Sequence, residues 1–308
     1  MILCFGATPA AQRSLTFDRF EIHAVNRAAS VQEYASGKSP NVARVVRALG
    51  GEPLATGFAG GDRGTFLVDD LTRAGVRCNF VKVAPQTRHC TTLIDRSAGT
   101  ATELIEEHAP LASDDWNRMD AKLRALLPSS KTWVFSGSLP AGAPDNFYAR
   151  WIPLATKQGA RLILDARGEP MRLALPLGGF IAKLNRQELA QTLRETLDSD
   201  ESLRAAAMRA APADGMMIVT MGSRGALAVG DGRAWRVVPP KITPVSAIGS
   251  GDAFAAGLAL ALDRGEDLPQ ALALAAACGA ANALTSRAGY LTLADVERLR
   301  QGVCVEEI

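Results

Sequence analysis

Apolar positions along the chain switch repeatedly between two periods. From about residue 40, Val42, Val45, Val46 and Leu49 recur at helical spacing, with Arg44 and Arg47 on the opposite face and Gly50-Gly51 as a stop. Leu67, Leu71 and Ala74 repeat that pattern before Gly75. Short apolar runs at Thr132–Phe135, Leu162–Leu164, Phe180–Ala182 and Met216–Thr220 have the length of buried strands, and a helical pattern separates most of them. This alternation predicts an α/β fold with a mainly parallel sheet covered by helices on both faces. Asp231-Gly232, between Leu227–Val229 and Ala234–Val238, predicts a tight hairpin. The two most apolar stretches, Ala253–Leu262 and Ala271–Leu284, are split by Asp263, Arg264, Glu266 and Asp267. Each is shorter than the ~20 residues that span a bilayer, so they read as buried, Ala-rich helices and no membrane partner is expected.

Two segments break the rhythm. Phe17–Tyr34 and Thr87–Glu107 carry short polar–apolar alternations without a clear helix, and 17–22 and 91–94 read as strands with one wet face. They form either a small sheet outside the main one, serving as a lid or an oligomer interface, or two ordinary surface hairpins. Composition adds exclusions. In 308 residues, 34 Lys and Arg against 32 Asp and Glu leave a net charge of +2, which offers no basic excess for nucleic acid. Five scattered cysteines without a C-x-x-C pair argue against a disulfide framework or a zinc site and fit a reducing cytoplasm. The first residues lack a basic region before their apolar run, so they read as a strand and not as a signal peptide. His23, His89 and His108 have no metal-ligand spacing.

The chemistry concentrates in small residues beside helix starts. Gly249-Ser250-Gly251-Asp252 opens the Ala-rich helix at 253. A helix N-terminus with small side chains offers free N–H groups to an anion, and a carboxylate in the first turn could take a proton from a hydroxyl attacking a phosphoryl group. The same residues also suit a plain turn with a favourable first-turn acid. Ser36-Gly37-Lys38-Ser39-Pro40-Asn41 is not a P-loop: Gln32 stands where the first glycine is needed, and Pro40 interrupts the helix. It leaves a polar turn with Lys38 and Asn41 at a helix entrance. Asn185 and Glu188, three apart after a strand, share a face at the sheet edge where open α/β folds bind ligands. They suit hydrated Mg²⁺ or, more simply, a capping box. Arg27 and Arg88 lie one in each irregular segment, where a planar guanidinium could hold phosphate or merely face water.

Taken in order, these pieces resemble the PfkB (ribokinase-like) carbohydrate kinases, in particular their phosphosugar branch. Val25-Asn26-Arg27 is similar to an early substrate-arginine segment, and Ser36–Arg44 to G-G-K-G-x-N-V-A-R. Gly57–Gly64 resembles the family's glycine-rich turn and Gln86-Thr87-Arg88 its second arginine element. Ser136–Pro140 resembles S-G-S-L-P, Lys183–Glu188 K-x-N-x-x-E, Thr220–Ala226 T-x-G-x-x-G-A and Gly249–Asp252 G-A-G-D.

The resemblance implies a ribokinase-like three-layer sandwich formed by residues 1–11, 37–85 and 108–308, with a β-lid from 12–36 and 86–107 that is used for dimerisation. It implies ATP and Mg²⁺, Asp252 as base, and Gly249, Ser250 and Gly251 as anion hole. Asn185 and Glu188 would serve the metal–triphosphate site, and Thr220, Gly222, Gly225 and Asn282 the nucleotide. Gln12, Arg27, Lys38, Asn41, Arg88 and Ser138 would hold a sugar phosphate. Gln12 stands where the branch has an Asp that contacts sugar hydroxyls, and Ser36 and Ser39 replace two glycines of the lysine loop. A pseudokinase of the same fold, or a kinase of a free sugar, is the alternative reading.

Overall fold

The computed structural model describes residues 1–308. Fifteen strands form two separate sheets. The large sheet contains β1 (Ile2–Gly6), β4 (Pro53–Gly60), β5 (Arg77–Cys78), β6 (Val81–Val83), β9 (Thr132–Ser136), β10 (Arg161–Asp165), β11 (Ile181–Asn185), β12 (Met216–Thr220), β13 (Ala226–Gly230), β14 (Arg233–Val238) and β15 (Cys304–Glu307). Its order is β15-β14-β13-β12-β11-β10-β9-β1-β4-β5, with β6 also on β4. Every pairing from β12 through β4 to β5 and β6 is parallel, and only β12-β13-β14-β15 run antiparallel. The expected hairpin is β13–β14, turning at Asp231-Gly232 with both residues at positive φ.

The period-two rule distributes each strand between two cores. Leu3, Phe5, Trp133 and Phe135 point to one face; Ile2, Cys4 and Val134 point to the other. On the first face lie α3 (Ser113–Leu126), α4 (Ile152–Lys157), α5 (Glu169–Ala174), α6 (Arg186–Leu193) and α7 (Asp200–Ala210). On the second lie α1 (Lys38–Ala48), α2 (Gly61–Arg73), α8 (Ser250–Asp263), α9 (Leu268–Ala283) and α10 (Leu293–Arg300). These are the three layers expected from the alternation. Helices α8 and α9 are the two apolar stretches and are buried nearly all round. They cross closely because Gly257 has no side chain: a Cβ there would lie 2.8 Å from Cys278 Sγ and 3.0 Å from Ala275 Cα. No helix is long and apolar enough to cross a membrane.

The smaller sheet has the order β3-β2-β7-β8, from β2 (Ala10–Phe17), β3 (Ser30–Ser36), β7 (Arg88–Asp95) and β8 (Thr100–Ile105). The two irregular segments therefore pair with each other, through the parallel β2–β7 contact. The strand expected over 17–22 is not there: β2 ends at Phe17, and residues 18–29 form turns and loop. Polar residues on the inward face of β2 (Gln12, Ser14, Thr16) are buried, which inverts the usual apolar-in alternation and hides the strand. Opposite them, Leu15 pairs with Val31 and Leu93, and Leu104 lies on the same outward face through its pairing with Thr91.

Candidate active site

Parallel strands of an α/β sheet end along one edge, and that edge gathers the polar residues here. Gly6 of β1, Ser136 of β9, Asp165 of β10, Asn185 of β11 and Thr220 of β12 are each the last residue of their strand. Helix α1 starts above β1 and β9 because Gly37, at φ +99°, turns the chain where a Cβ would meet Pro9 Cα at 2.9 Å. Lys38 thus opens the helix, and Asn41 sits one turn later. A cleft lined entirely by non-hydrophobic residues forms at this edge, with Thr8, Lys38, Ser39, Arg88, Gly137 and Ser138 in its wall.

Two lysines converge on one buried carboxylate. Lys183 Nζ donates to Asp165 Oδ2 at 2.7 Å, and Lys38 Nζ donates to Asp165 Oδ1. Glu188 Oε1 lies 3.6 Å from Lys38 Nζ. Burial pushes the Asp165 carboxyl up, but the ammonium groups of Lys183 and Lys38 outweigh it and hold the group at about 2. Burial alone would lower Lys38; Asp165, Glu188 and Asp252 reverse that and hold it above its usual range. Asp165 and Lys38 are therefore both charged at neutral pH.

Asp252 behaves differently. It lies in the first turn of α8, 8% exposed, and its Oδ2 accepts from Asn41 Nδ2 at 2.7 Å. Ser36 Oγ donates to Asn41 Oδ1 at 3.2 Å, which leaves the amide nitrogen to face Asp252. Asp252 Oδ1 makes no hydrogen bond within the protein. Burial lifts the carboxyl to about 6, against the opposing pull of Lys38. It is a buried carboxylate poised near neutrality with one oxygen free, which is what a general base requires.

The remaining expected residues fall into groups. Gly249, at φ +83°, is the N-cap of α8, and half-buried Ser250 and Gly251 follow it beside Asp252. Lys183 lies beneath them, its Nζ 3.3 Å from where a Cβ of Gly251 would be. Asn185 is the N-cap of α6: its Oδ1 accepts from Glu188 N at 2.8 Å, and Glu188 Oε2 accepts from Asn185 N at 2.9 Å. The capping box is real, yet Glu188 Oε1 still faces Lys38. Thr220 pairs in register with Asn185, and Gly222 and Gly225 adopt positive φ in the turn that follows. Gly225 admits no side chain, since a Cβ would lie 1.8 Å from Val237 O. Arg88 Nη2 donates to Thr8 O at 2.8 Å, while its buried Nε has no partner in the protein.

Three residues depart from expectation. Arg27 is exposed in the 18–29 loop, beyond the Phe17 end of β2, whereas Arg88 pairs with Ala10 at the other end. Seven strand residues at ~3.3 Å separate the two ends by about 20 Å, so Arg27 does not line the cleft. Asn282 is fully buried and does not line a nucleotide pocket. Its Nδ2 donates to Ile248 O at 2.8 Å and its Oδ1 accepts from Gly289 N at 2.8 Å, so it braces the loop ahead of Gly249. Gln12 is buried on the inward face of the lid sheet, where its Nε2 donates to Thr92 Oγ1 at 2.9 Å, so its amide is engaged within the lid. Conversely, sequence reading passed over Asp165 and assigned no role to Lys183. The available signal was a charged residue closing an apolar run, as Asp165 does after Leu162–Leu164.

Residues 1–294 match the model of the pfkB family carbohydrate kinases. The chain belongs to the pfkB family. It is a phosphotransferase with an alcohol acceptor, and membership implies ATP and a divalent metal. Among solved pfkB-like structures, Escherichia coli phosphofructokinase-2 in complex with fructose-6-phosphate is 25% identical with a TM-score of 0.87, covering 98% of this chain and 99% of that one. A candidate phosphofructokinase from Staphylococcus aureus is 27% identical with a TM-score of 0.81, covering 100% and 99%. A Thermotoga maritima chain described as a possible 1-phosphofructokinase, 21% identical, has the same fold with a TM-score of 0.89 over 100% of both chains.

The donor set suits a metal that arrives with phosphate. No three acidic, His or Cys side chains come together to hold an ion by themselves. Glu188 offers one hard carboxylate oxygen, Oε1, at the pfkB sheet edge, whereas both oxygens of Asp165 are taken by Lys38 and Lys183. That fits Mg²⁺, which keeps waters and binds through one or two carboxylates plus substrate phosphates.

Proposed function

We propose that this kinase transfers the γ-phosphoryl group of ATP to a hydroxyl of a sugar phosphate of the fructose or tagatose type. Asp252 is the base. Its free Oδ1 takes the proton as the acceptor oxygen bonds to phosphorus and the bond to the ADP oxygen breaks. Asn41 holds the carboxylate in place through Oδ2. The N–H groups of Gly249 and Gly251, backed by Lys183, stabilise the charge developing on the transferred group, while Ser250 N–H donates to Ala247 O at 3.1 Å and shapes the turn between them. Lys38, fixed by Asp165, aims its ammonium into the cleft. Asn185, Thr220, Gly222 and Gly225 bind the nucleotide, and Glu188 with Asn185 would hold Mg²⁺ through water, where the metal would offset triphosphate charge.

The observation that carries the acceptor class is Arg88. Its guanidinium sits in a cleft without hydrophobic lining, with a buried Nε left unpartnered, and Ser138 and Lys38 stand in the same wall. A phosphate on the acceptor supplies the missing acceptor atoms. The relative's complex with fructose-6-phosphate supports the same class. An ATP-coupled turnover screen over matched pairs, each sugar with and without its phosphate, tests this. The phosphorylated member of one pair is expected to have the higher kcat/KM by at least about tenfold. Turnover of free sugars alone overturns the assignment.

We further propose a homodimer through the lid. Val31 and Leu104, each about half exposed, share the outward face of the small sheet with Leu15 and Leu93. Such a stripe on a free sheet face favours a second copy. Phe17, at the end of β2, is buried within the lid, with its ring 5.3 Å from Phe20, and is not part of that stripe. Replacing Val31 and Leu104 with Asp should give monomers with an intact core by light scattering and circular dichroism. An unchanged oligomer, or a monomeric wild type, excludes this interface.

A further inference from the structure

The lid touches the core at a second place, behind α8. Tyr34 stands on the inward face of β3, 2% exposed. Its hydroxyl lies 3.0 Å from Ser14 Oγ of β2 and accepts from Ala288 N at 3.3 Å. Two residues along the same face, Gln32 Oε1 accepts from Ser286 Oγ at 3.2 Å. The Tyr34 ring meets Tyr290 edge-on, with centroids 5.6 Å apart. The lid therefore grips segment 284–290 along its length.

The other side of that segment is keyed into the reaction centre. Ala288 fills the space beside Gly249: a Cβ on Gly249 would lie 2.7 Å from Ala288 Cβ. Gly289, at φ +74°, packs on Asn41 so tightly that a Cβ would lie 2.7 Å from Asn41 Cα. Its N–H donates to Asn282, which in turn holds Ile248 O. Ala288 and Gly289 thus touch the first residue of the anion hole and the residue that holds Asp252. Only small residues lie between, so the contact has no slack in which a shift could be absorbed.

We propose that Tyr34 is a positioning residue, which ties the lid through Ala288 and Gly289 to Gly249 and Asn41 and so holds the first residue of the anion hole and the partner of Asp252 in place. The inference rests on the reading of Gly249–Gly251 and Asp252 given above. The chain of contact is contiguous and runs from the four-stranded lid to the N-terminus of α8. A residue that positions the base and the anion hole acts on the chemical step more than on nucleotide binding. It also explains why the inward face of the lid is polar: Ser14, Gln32 and Tyr34 serve hydrogen bonds to the core and to one another.

The test is Tyr34→Phe, which keeps the ring against Tyr290 and removes only the hydroxyl, assayed with the best acceptor from the screen. The kcat is expected to fall about tenfold, which corresponds to ~1.4 kcal/mol. KM for ATP and for the acceptor should stay within about twofold, and the thermal midpoint within a few degrees. A merely structural tyrosine would lower the midpoint and raise both KM values together. Ser286→Ala, which removes the second grip, should lower kcat less, and should lower it further when added to Tyr34→Phe. An unchanged kcat in Tyr34→Phe, or a loss carried by KM for ATP, overturns the proposal. Asp252→Asn is measured alongside. If it keeps turnover, the reading of the site fails and this inference fails with it; if it is inactive while Tyr34→Phe is unaffected, only the coupling is wrong.

Discussion

Asp252→Asn is expected to lower kcat by about 10²–10⁴, the usual worth of general-base help. The substitution keeps the size of the side chain and leaves an oxygen to accept from Asn41 Nδ2. It removes the proton acceptor alone. The residues proposed for the nucleotide lie on β11, β12 and the following turn, away from this change, so the dissociation constant for ATP should move less than about twofold. Isothermal titration with ATP and a coupled kinetic assay separate the two quantities. Turnover near the wild-type level would remove Asp252 from the role of base.

Arg88→Ala should raise KM for the phosphosugar about 10–100-fold. Hydrogen bonds from a charged donor are worth roughly 1.5–3 kcal/mol, and each ~1.4 kcal/mol is a factor of ten. Arg88 lies at the start of β7, its Nη2 anchored to Thr8 O in the turn after β1. It is thus fixed before any acceptor arrives, and its contribution is not spent on ordering a mobile side chain. KM for ATP should stay put. An equal rise for both substrates would mean that Arg88 supports the turn at Thr8 instead of holding phosphate. An unchanged KM would place the acceptor's phosphate elsewhere.

What the sequence made legible follows from how each feature writes itself into a local pattern. Strands β9, β10 and β12, the Asp231-Gly232 hairpin, and helices α8 and α9 are all declared by period or by turn residues within a short window. Asp252 and its glycines were legible for the same reason, since a helix start is a local event. Strand β2 was misread because buried Gln12, Ser14 and Thr16 make its polar residues face inward. The eye was drawn instead to Phe17–Ile22, where the structure has a turn. Asp165 and Lys183 were missed because neither means much alone. A buried lysine or aspartate becomes interpretable only when its counter-charge is known, and here the partners come from three different elements. Arg27 shows the reverse error: its type and segment suited phosphate, but the length of β2 carries it away from the cleft. Asn282 was expected in the nucleotide pocket and is instead fully buried behind the loop ahead of Gly249, because sequence order does not distinguish a lining residue from one that braces a loop.

The central claim, that Asp252 accepts the proton of the acceptor hydroxyl, also fixes a dependence on pH. Burial raises this carboxyl to about 6, so its basic form is complete above about pH 7 and is lost as the pH falls through 6. A phosphorylated acceptor titrates in the same range, since its second ionisation lies near ~6. The ratio of wild-type to Asp252→Asn kcat/KM for the acceptor, measured from pH 5 to pH 8, cancels that contribution because both enzymes see the same acceptor. The ratio is predicted to be level above about pH 7 and to bend downward near pH 6, approaching a tenfold loss per pH unit below it. A ratio that stays flat across this range would contradict the account.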